Sequence, residues 1–170
     1  MKNKYSIEND VIRVQINHKG AIVEALFDAE DLPLLNSFPN TLTIAKGYAV
    51  YGYREVKGGW VKYKGLHRLV TKCPEGLDVD HIHRNTLDNR KSELRIVTKA
   101  QNRQNQKLDK RNKYGAKNIY YVKGKNLYVV HIRVNGKIQY IGSSKDIEEA
   151  KVIALEGRKK YFPYSVNEST

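Results

Sequence analysis

Short runs of alternating apolar and polar residues dominate the first third of the chain. Residues 11–17 (VIRVQIN) and 21–27 (AIVEALF) are rich in β-branched side chains and flank His18-Lys19-Gly20, which predicts a β-hairpin. Pro33 and Pro39 exclude a long helix in the segment that follows. Strand-like composition returns in residues 41–46, 48–56 and 58–65. We expect the aromatic side chains of these runs, Trp60 included, to pack across strands rather than to stack on a nucleic acid.

The pattern changes in residues 66–105. A short strand, Leu77–His81, leads into a polar loop rich in Asn and Asp, then into a second short strand, Leu94–Val97, and a helix with Thr98 as its N-cap. Asp80 and His81 end the first strand, and Asn102 lies one turn into the helix. Packing that strand against that helix would bring a carboxylate, an imidazole and an amide together, a set that suits a hard divalent cation and a general base. Taken alone, an Asp-His pair is more often an ion-paired or capping Asp beside a surface His.

The last third predicts a second folded unit. Residues 103–114 are charged and lack an apolar period, which is typical of a linker. Three strands follow, in residues 118–122, 127–134 and 137–144, with a hairpin turn at Asn135-Gly136. A helix capped by Ser144 or Asp146 then places four apolar residues on one face: Ile147, Ala150, Ile153 and Ala154. The fold class predicted for the whole chain is α+β, and this unit is a three-stranded sheet packed on one helix.

The distribution of charge along the chain indicates a class of binding partner. The chain has 31 Lys or Arg and 18 Asp or Glu, a net charge of +13. Residues 1–60 carry seven of each sign, residues 61–113 carry fourteen basic and six acidic residues, and residues 114–170 carry ten and five. An excess confined to the last two segments indicates a polyanion, nucleic acid first, although a merely basic soluble protein is the alternative.

Cysteine usage and the start of the chain exclude other classes. Cys73 is the only cysteine, so the chain has no internal disulfide and no Cys-based zinc site, and we expect no structural zinc. The first residues contain no long apolar segment. We therefore expect no membrane partner and a cytoplasmic location.

The segment from Leu66 to Asn105 resembles the HNH endonucleases, in the branch of phage-encoded and intron-encoded homing enzymes. The resemblance rests on His67-Arg68-Leu69-Val70, Val79-Asp80-His81-Ile82, Asn85, Asn89-Arg90, Leu94-Arg95, Val97-Thr98 and Asn102. It implies a ββα-metal fold in which Asp80 and Asn102 hold one divalent cation, Mg²⁺ or Mn²⁺. In the same resemblance His81 activates the water that hydrolyses a phosphodiester bond of double-stranded DNA.

One position departs from that pattern. The central Asn of the family commonly precedes the Leu-Arg of the second strand, where this chain has Glu93. Asn85 and Asn89 are expected to share the loop-structuring role, because Asn side chains readily bond to backbone in turns. His67 matches the first His of the pattern, and its apolar flanks fit a packed side chain as well as a direct role. His83 fits a solvated loop residue better than a second ligand or a phosphate contact.

The C-terminal unit resembles the AP2 DNA-binding domain. The matching pattern is a strand ending in Ile132-Arg133, the Asn135-Gly136 turn, a strand ending in Tyr140-Ile141-Gly142 and a helix that begins Asp146-Ile147-Glu148-Glu149-Ala150. The resemblance implies that the outer sheet face enters the major groove, where Arg133 reads a base and His131 and Tyr140 assist. Alternation along the middle strand places Val130 and Ile132 inward and Val129, His131 and Arg133 outward. The alternative is a small αβ module with a solvated sheet face.

These expectations combine into one organisation. Residues 1–102 hold an N-terminal β region and the nuclease, residues 103–114 form a basic linker, and residues 115–170 form the AP2-like domain. Further DNA contacts are expected from Arg68, Arg84, Arg90, Arg95, Arg103, Lys117, Lys123 and Lys125. A monomer is expected and a dimer stays open, because one such site cuts one strand. Two other functions stay open as well: a catalytically inactive DNA-binding protein derived from a nuclease, and a structure-specific or RNA nuclease.

Overall fold

The computed structural model describes residues 1–166. The chain divides into two compact units, Met1–Asn102 and a second that begins at Arg103. Each unit has its own buried apolar cluster. Both combine antiparallel strands with helices, so the architecture is α+β.

The first unit opens with a three-stranded antiparallel sheet: β1 (Tyr5–Glu8), β2 (Val11–His18) and β3 (Ala21–Asp28), in the order β1-β2-β3. Pairing of β2 with β3 runs from Val11 opposite Asp28 to His18 opposite Ala21, which confirms the predicted hairpin. Lys19 and Gly20 make its turn with positive φ angles of 54° and 83°. β1 was not predicted, because its alternation of apolar and polar residues, Tyr5 to Glu8, covers only four positions.

A second antiparallel sheet follows a short turn of helix. A 3₁₀ turn precedes α1 (Leu32–Asn36), which has Pro33 in its first turn. The helix is only five residues long, in agreement with the prediction that the prolines exclude a long helix here. The sheet consists of β4 (Thr43–Ala45), β5 (Tyr48–Tyr53) and β6 (Lys62–Gly65), in that order. Tyr51 stacks on Phe38 with ring centroids 4.4 Å apart, as expected of a packed strand. The packing expectation is wrong for Trp60, which is 93% exposed because it lies in the connection between β5 and β6.

The rest of the first unit has the predicted order of strand, loop, strand and helix. It comprises α2 (Leu66–Val70), β7 (Asp78–His81), β8 (Leu94–Val97) and the first residues of α3 (Lys99–Gln104), with β7 and β8 antiparallel. The N-cap prediction is confirmed, because Thr98 Oγ1 accepts a hydrogen bond from the Gln101 amide (3.2 Å) and Gln101 Oε1 accepts one from the Thr98 amide (2.8 Å). α2 was not predicted as a helix.

The N-terminal sheet shares one core with α2 and with β7 and β8, the two strands that flank the β7–β8 loop. Ile12, Phe27, Leu66, Val79 and Leu94 belong to the same buried cluster. The loop is also tied to β3 by backbone hydrogen bonds, from the Leu26 amide to the Leu87 carbonyl and from the Asn89 amide to the Leu26 carbonyl, both 2.8 Å. The first sheet therefore supports the loop that follows His81.

The second unit is a three-stranded antiparallel sheet covered by one helix, as predicted. Its strands are β9 (Ile119–Val122), β10 (Leu127–Val134) and β11 (Lys137–Ser144), with β10 in the middle, and its helix is α4 (Ile147–Tyr161). Asp146 caps α4 by accepting hydrogen bonds from the amides of Glu148 and Glu149 at 2.6 and 3.0 Å. Val130 and Ile132 are fully buried, which confirms their inward facing.

Within residues 1–166, no helix combines the length and the apolar character that crossing a membrane requires.

Candidate functional site

His81 ends β7 in a small cluster of rings. Its imidazole centroid lies 5.4 Å from that of His67 on α2 and 5.8 Å from the ring of Tyr48 on β5, and the rings of Tyr48 and His67 are 5.1 Å apart. His81 is only 5% exposed. Three elements that are distant in sequence thus fix the orientation of this imidazole.

The surroundings of His81 favour its neutral form. Burial lowers the pKa of His81 below its ordinary value of 6.5, and this outweighs the opposing effects of Asp80, the side chain of Asn89, Asp88 and Glu93. A neutral imidazole has a lone pair that can accept a proton. His81 is therefore in the state that a general base needs near neutral pH.

His67 is a packed ring rather than a proton carrier at neutral pH. Burial lowers the pKa of His67 to about 4, with smaller contributions from His81 and Arg68. Its Nδ1 is buried and has no hydrogen-bond partner among residues 1–166. A Cβ atom at Gly65 would lie 2.5 Å from Cε1 of His67, so the glycine makes room for the ring.

Asp80 lies on the other face of β7, because successive side chains of a strand point to opposite faces. It is 6% exposed and pairs with Arg95 opposite it on β8, whose Nε and Nη2 both donate to Oδ2, at 2.8 and 2.6 Å. The guanidinium compensates the charge of a carboxylate that burial would otherwise disfavour.

Asn102 on α3 reaches the same face of β7, but it bonds to a residue that we had not expected at the site. Its Nδ2 donates to Oδ2 of Asp78 at 3.1 Å. Asp78 and Asp80 are two residues apart on one strand, so both carboxylates face α3. The signal was present in the sequence as Asp78-Val79-Asp80, a spacing that places two acids on one side of a strand.

The side chains on this face have the chemistry of a hard-cation site. Carboxylate and amide oxygens from Asp78, Asp80 and Asn102 suit Mg²⁺ or Mn²⁺, which complete their coordination with water and phosphate oxygens. In the part of the chain that the structure describes, no cluster of three or more His, Cys, Asp or Glu residues is arranged to hold a metal ion.

The loop between β7 and β8 is held by its own polar side chains. Asn85 Oδ1 accepts a hydrogen bond from the Leu87 amide (3.2 Å), and the fully buried Asn89 donates from Nδ2 to the Leu87 carbonyl (3.0 Å). His83 Nδ1 and Glu93 Oε2 lie 2.6 Å apart, and the Glu93 carbonyl accepts from the Ile82 amide at 2.8 Å. Glu93 thus joins the two ends of the loop, and His83 is bonded to it rather than fully solvated.

Three of the arginines expected to bind DNA have partners within the first unit. Arg68 donates to the carbonyls of Leu77 (2.7 Å) and Pro74 (3.0 Å), Arg90 donates through two nitrogens to Asp88 (2.8 and 2.6 Å), and Arg95 pairs with Asp80. Arg84 is half-buried with a positive φ of 62°, and Arg103 is exposed. Hydrogen bonds within the protein therefore give Arg68, Arg90 and Arg95 a structural role that does not require DNA.

A ring ladder crosses the outer face of the second unit. His131 on β10 lies 6.0 Å from Tyr120 on β9 and 5.9 Å from Tyr140 on β11. Arg133 is exposed on the same side of β10, next to the 60% exposed Ile138 that pairs with it. Lys123 and Lys125 are exposed beyond one end of the sheet, and Lys117 is half-buried before β9. The side chains expected to read DNA are thus on one accessible surface.

Comparison with known proteins finds one family for part of the chain. Residues 64–104 match the family model described as HNH endonuclease. No curated protein and no solved structure matches the chain. The matched segment runs from the end of β6 to the end of α3, so it contains His67, Asp80, His81 and Asn102. Over this segment, which is shorter than half of the chain, the protein is similar to the HNH endonucleases, and the similarity indicates a nuclease.

Proposed function

We propose that this protein is a metal-dependent HNH DNA endonuclease of the homing type that hydrolyses phosphodiester bonds in double-stranded DNA. The observation that carries the proposal is the end of β7, where a buried neutral His81 follows a carboxylate face that α3 approaches through Asn102. This arrangement lies within the segment similar to HNH endonucleases.

Each residue has one task in this proposal. His81 takes the proton from the attacking water, and Tyr48, His67 and Asn89 keep its ring in place. Asp80 and Asn102 hold a divalent cation, Mg²⁺ or Mn²⁺, and Asp78 orients Asn102 through their hydrogen bond. When bound, the cation neutralises charge that develops on the scissile phosphate and the leaving oxygen.

The second unit supplies DNA recognition. We assign it as an AP2-like domain whose outer sheet face lies in the major groove, where Arg133 donates to a base edge beside His131 and Tyr140. Lys117, Lys123 and Lys125 contact phosphates, and residues 103–114 follow the backbone as a linker. One monomer with one nuclease site cuts one strand, so cutting both strands needs a second binding event or a dimer.

Plasmid cleavage tests the proposal. Wild-type protein and the variants His81→Ala and His18→Ala are incubated with supercoiled plasmids of varied sequence and with Mg²⁺, Mn²⁺ or EDTA, and the products are separated on gels. His18 ends β2, is not one of the site residues, and gives a matched histidine control. We expect nicking by wild type and His18→Ala with a metal, none with EDTA, and none by His81→Ala.

The binding affinity of the same proteins completes this test. His81→Ala should bind duplex DNA as wild type does, because the base is not needed for binding. A His81→Ala variant that still cuts would remove the catalytic role, and equal loss of cutting and binding would make His81 a structural residue.

The inactive DNA-binding protein is the second candidate, and the pairing of Asp80 with Arg95 and the presence of Glu93 favour it. Tight binding of many plasmids without cutting would support it, and cleavage gained by Glu93→Asn would identify the cause. A structure-specific or RNA nuclease is favoured by the exposed rings of Tyr120 and Tyr140. Preference for single-stranded RNA over duplex DNA in a competition experiment would select that function.

A further inference from the structure

The connection between β5 and β6, residues 54–61, exposes large apolar side chains. Trp60 is 93% exposed and Val56 67%, and Tyr63 just beyond, on β6, is 55% exposed. Burial of an exposed tryptophan ring is energetically favourable. An indole this exposed therefore indicates a surface where a binding partner could cover it. We call residues 54–61 the Trp60 loop.

The Trp60 loop is a defined turn. The Gly59 amide donates to the Val56 carbonyl at 3.0 Å, and Gly58 has a φ of +81° that side chains rarely adopt. A Cβ atom at Gly59 would lie 2.8 Å from Cγ2 of Val56. Both glycines are thus required by the turn, which places Trp60 at its outer side.

Exposed basic residues lie close to Trp60 in sequence. Arg54 and Lys57 are exposed within the loop, and Lys64 on β6 lies over the ring of Tyr53 with its Nζ 5.1 Å from the centroid. The loop's acid, Glu55, is paired with Lys62 at 2.6 Å. An exposed flat ring on a loop that also exposes two basic side chains matches a partner that combines phosphates with flat apolar faces, which is a nucleic acid.

The position of the loop relates it to the nuclease site. Tyr48, at the start of β5, contacts the ring of His81, and the Trp60 loop begins after the end of the same strand. A six-residue strand spans roughly 20 Å, which equals about six base-pair steps along a duplex. A duplex of more than six base pairs held at His81 and running along β5 would therefore reach the Trp60 loop.

We propose that Trp60 stacks on a nucleobase of the DNA bound by the first unit, while Arg54 and Lys57 contact the flanking phosphates. The indole either inserts between two stacked base pairs or stacks on a base that is already unpaired near the cut. This inference rests on the proposed function, because it takes DNA as the substrate, and it adds a base contact outside the second unit.

Fluorescence gives a direct test, because Trp60 is the only tryptophan of the chain. The full-length wild-type protein is titrated in EDTA with intact duplex, with duplex carrying a mismatch, with heparin and with anionic phospholipid vesicles. Acrylamide quenching measures the accessibility of the indole in each complex, and anisotropy of labelled DNA measures binding separately. We expect both DNAs to quench the emission and to protect Trp60 from acrylamide. Heparin, which has negative charge and no bases, should do neither.

Variants separate stacking from charge. Trp60→Ala should lose about tenfold in DNA affinity, because stacking on one base is lost. Trp60→Phe should retain most of the affinity because it keeps an aromatic face. Ile22→Ala is the matched control, since Ile22 is 69% exposed on β3 and should bind as wild type does.

Three results would overturn the inference. DNA that binds without changing the emission or the accessibility of Trp60 would exclude stacking, and equal quenching by heparin would make the change electrostatic. Quenching by vesicles but not by DNA would assign the loop to a membrane surface. Absence of any DNA binding by anisotropy would instead refute the proposed function, and the inference with it.

Discussion

His67 packs against the rings of both Tyr48 and His81, and burial lowers its pKa to about 4. The ordinary value in an unfolded chain is 6.5. Between these two values the unfolded chain binds a proton that the native protein does not bind. Stability that is present above pH 6.5 is therefore lost progressively as the pH falls towards 4.

We expect His67→Phe to reduce this acid sensitivity. Phenylalanine retains a ring in the cluster and removes the titrating group, so the variant should avoid a loss of up to about 3 kcal/mol between pH 6.5 and 4. Urea unfolding at several pH values measures the free energy of unfolding of both proteins. His18→Phe, at the exposed hairpin, should follow wild type. Parallel curves for His67→Phe and wild type would show that His67 does not contribute.

Asp78 is the site residue that we had not expected, and its bond to Asn102 gives it a testable role. We expect Asp78→Ala to lower the cleavage rate by about tenfold and to raise the metal concentration needed for half-maximal rate, because Asn102 loses its orienting partner. Glu75→Ala, at an exposed acid before β7, is the matched control. Unchanged metal dependence in Asp78→Ala would separate Asp78 from the site.

At the scale of elements, α4 packs on its sheet through small residues. Ala150, Ala154 and Gly157 are its buried positions, and they let the helix approach β10 and β11 closely. A Cβ atom at Gly157 would lie 2.8 Å from Cγ2 of Ile141 and 3.1 Å from Cδ1 of Ile132. The lack of room for a side chain at position 157, more than helix propensity, therefore explains why this residue is glycine.

We expect Gly157→Ala to destabilise the protein by about 1 kcal/mol. Alanine favours a helix by about 1 kcal/mol over glycine, but overpacking against two isoleucines costs about 1 to 3 kcal/mol. Glu156→Ala, on the exposed side of α4, should be nearly neutral. Chemical denaturation checks both variants, and a stabilised Gly157→Ala would mean that the isoleucines move aside at little cost.

For the whole molecule, the net charge of +13 and its concentration after residue 60 predict salt-dependent DNA binding. If six to ten phosphates are contacted, affinity should fall by about 10³ to 10⁵ between 50 and 200 mM salt. Changing both Lys123 and Lys125 to Gln should reduce the slope by about two, whereas Lys19→Gln in the first hairpin should not. Affinity independent of salt would contradict a phosphate-based interface.

Local signals predicted most elements of the fold. The Asn135-Gly136 turn, the Thr98 and Asp146 caps and the alternation along β10 depend on residues close in sequence, and all of them are present in the structure. β1 and α2 were missed, because a four-residue strand and a five-residue helix have too little apolar pattern to be recognised.

The sequence by itself determined the order of the elements, the uneven positive charge and the residues that make this segment similar to a nuclease. Only the tertiary structure decided how His81 is held, that Asn102 contacts Asp78, that Arg95 pairs with Asp80, and that Trp60 stays exposed. The reason is sequence separation. Caps, turns and strand alternation arise between neighbouring residues, whereas Tyr48 and His81 meet only after β5, α2 and β7 have packed into one core.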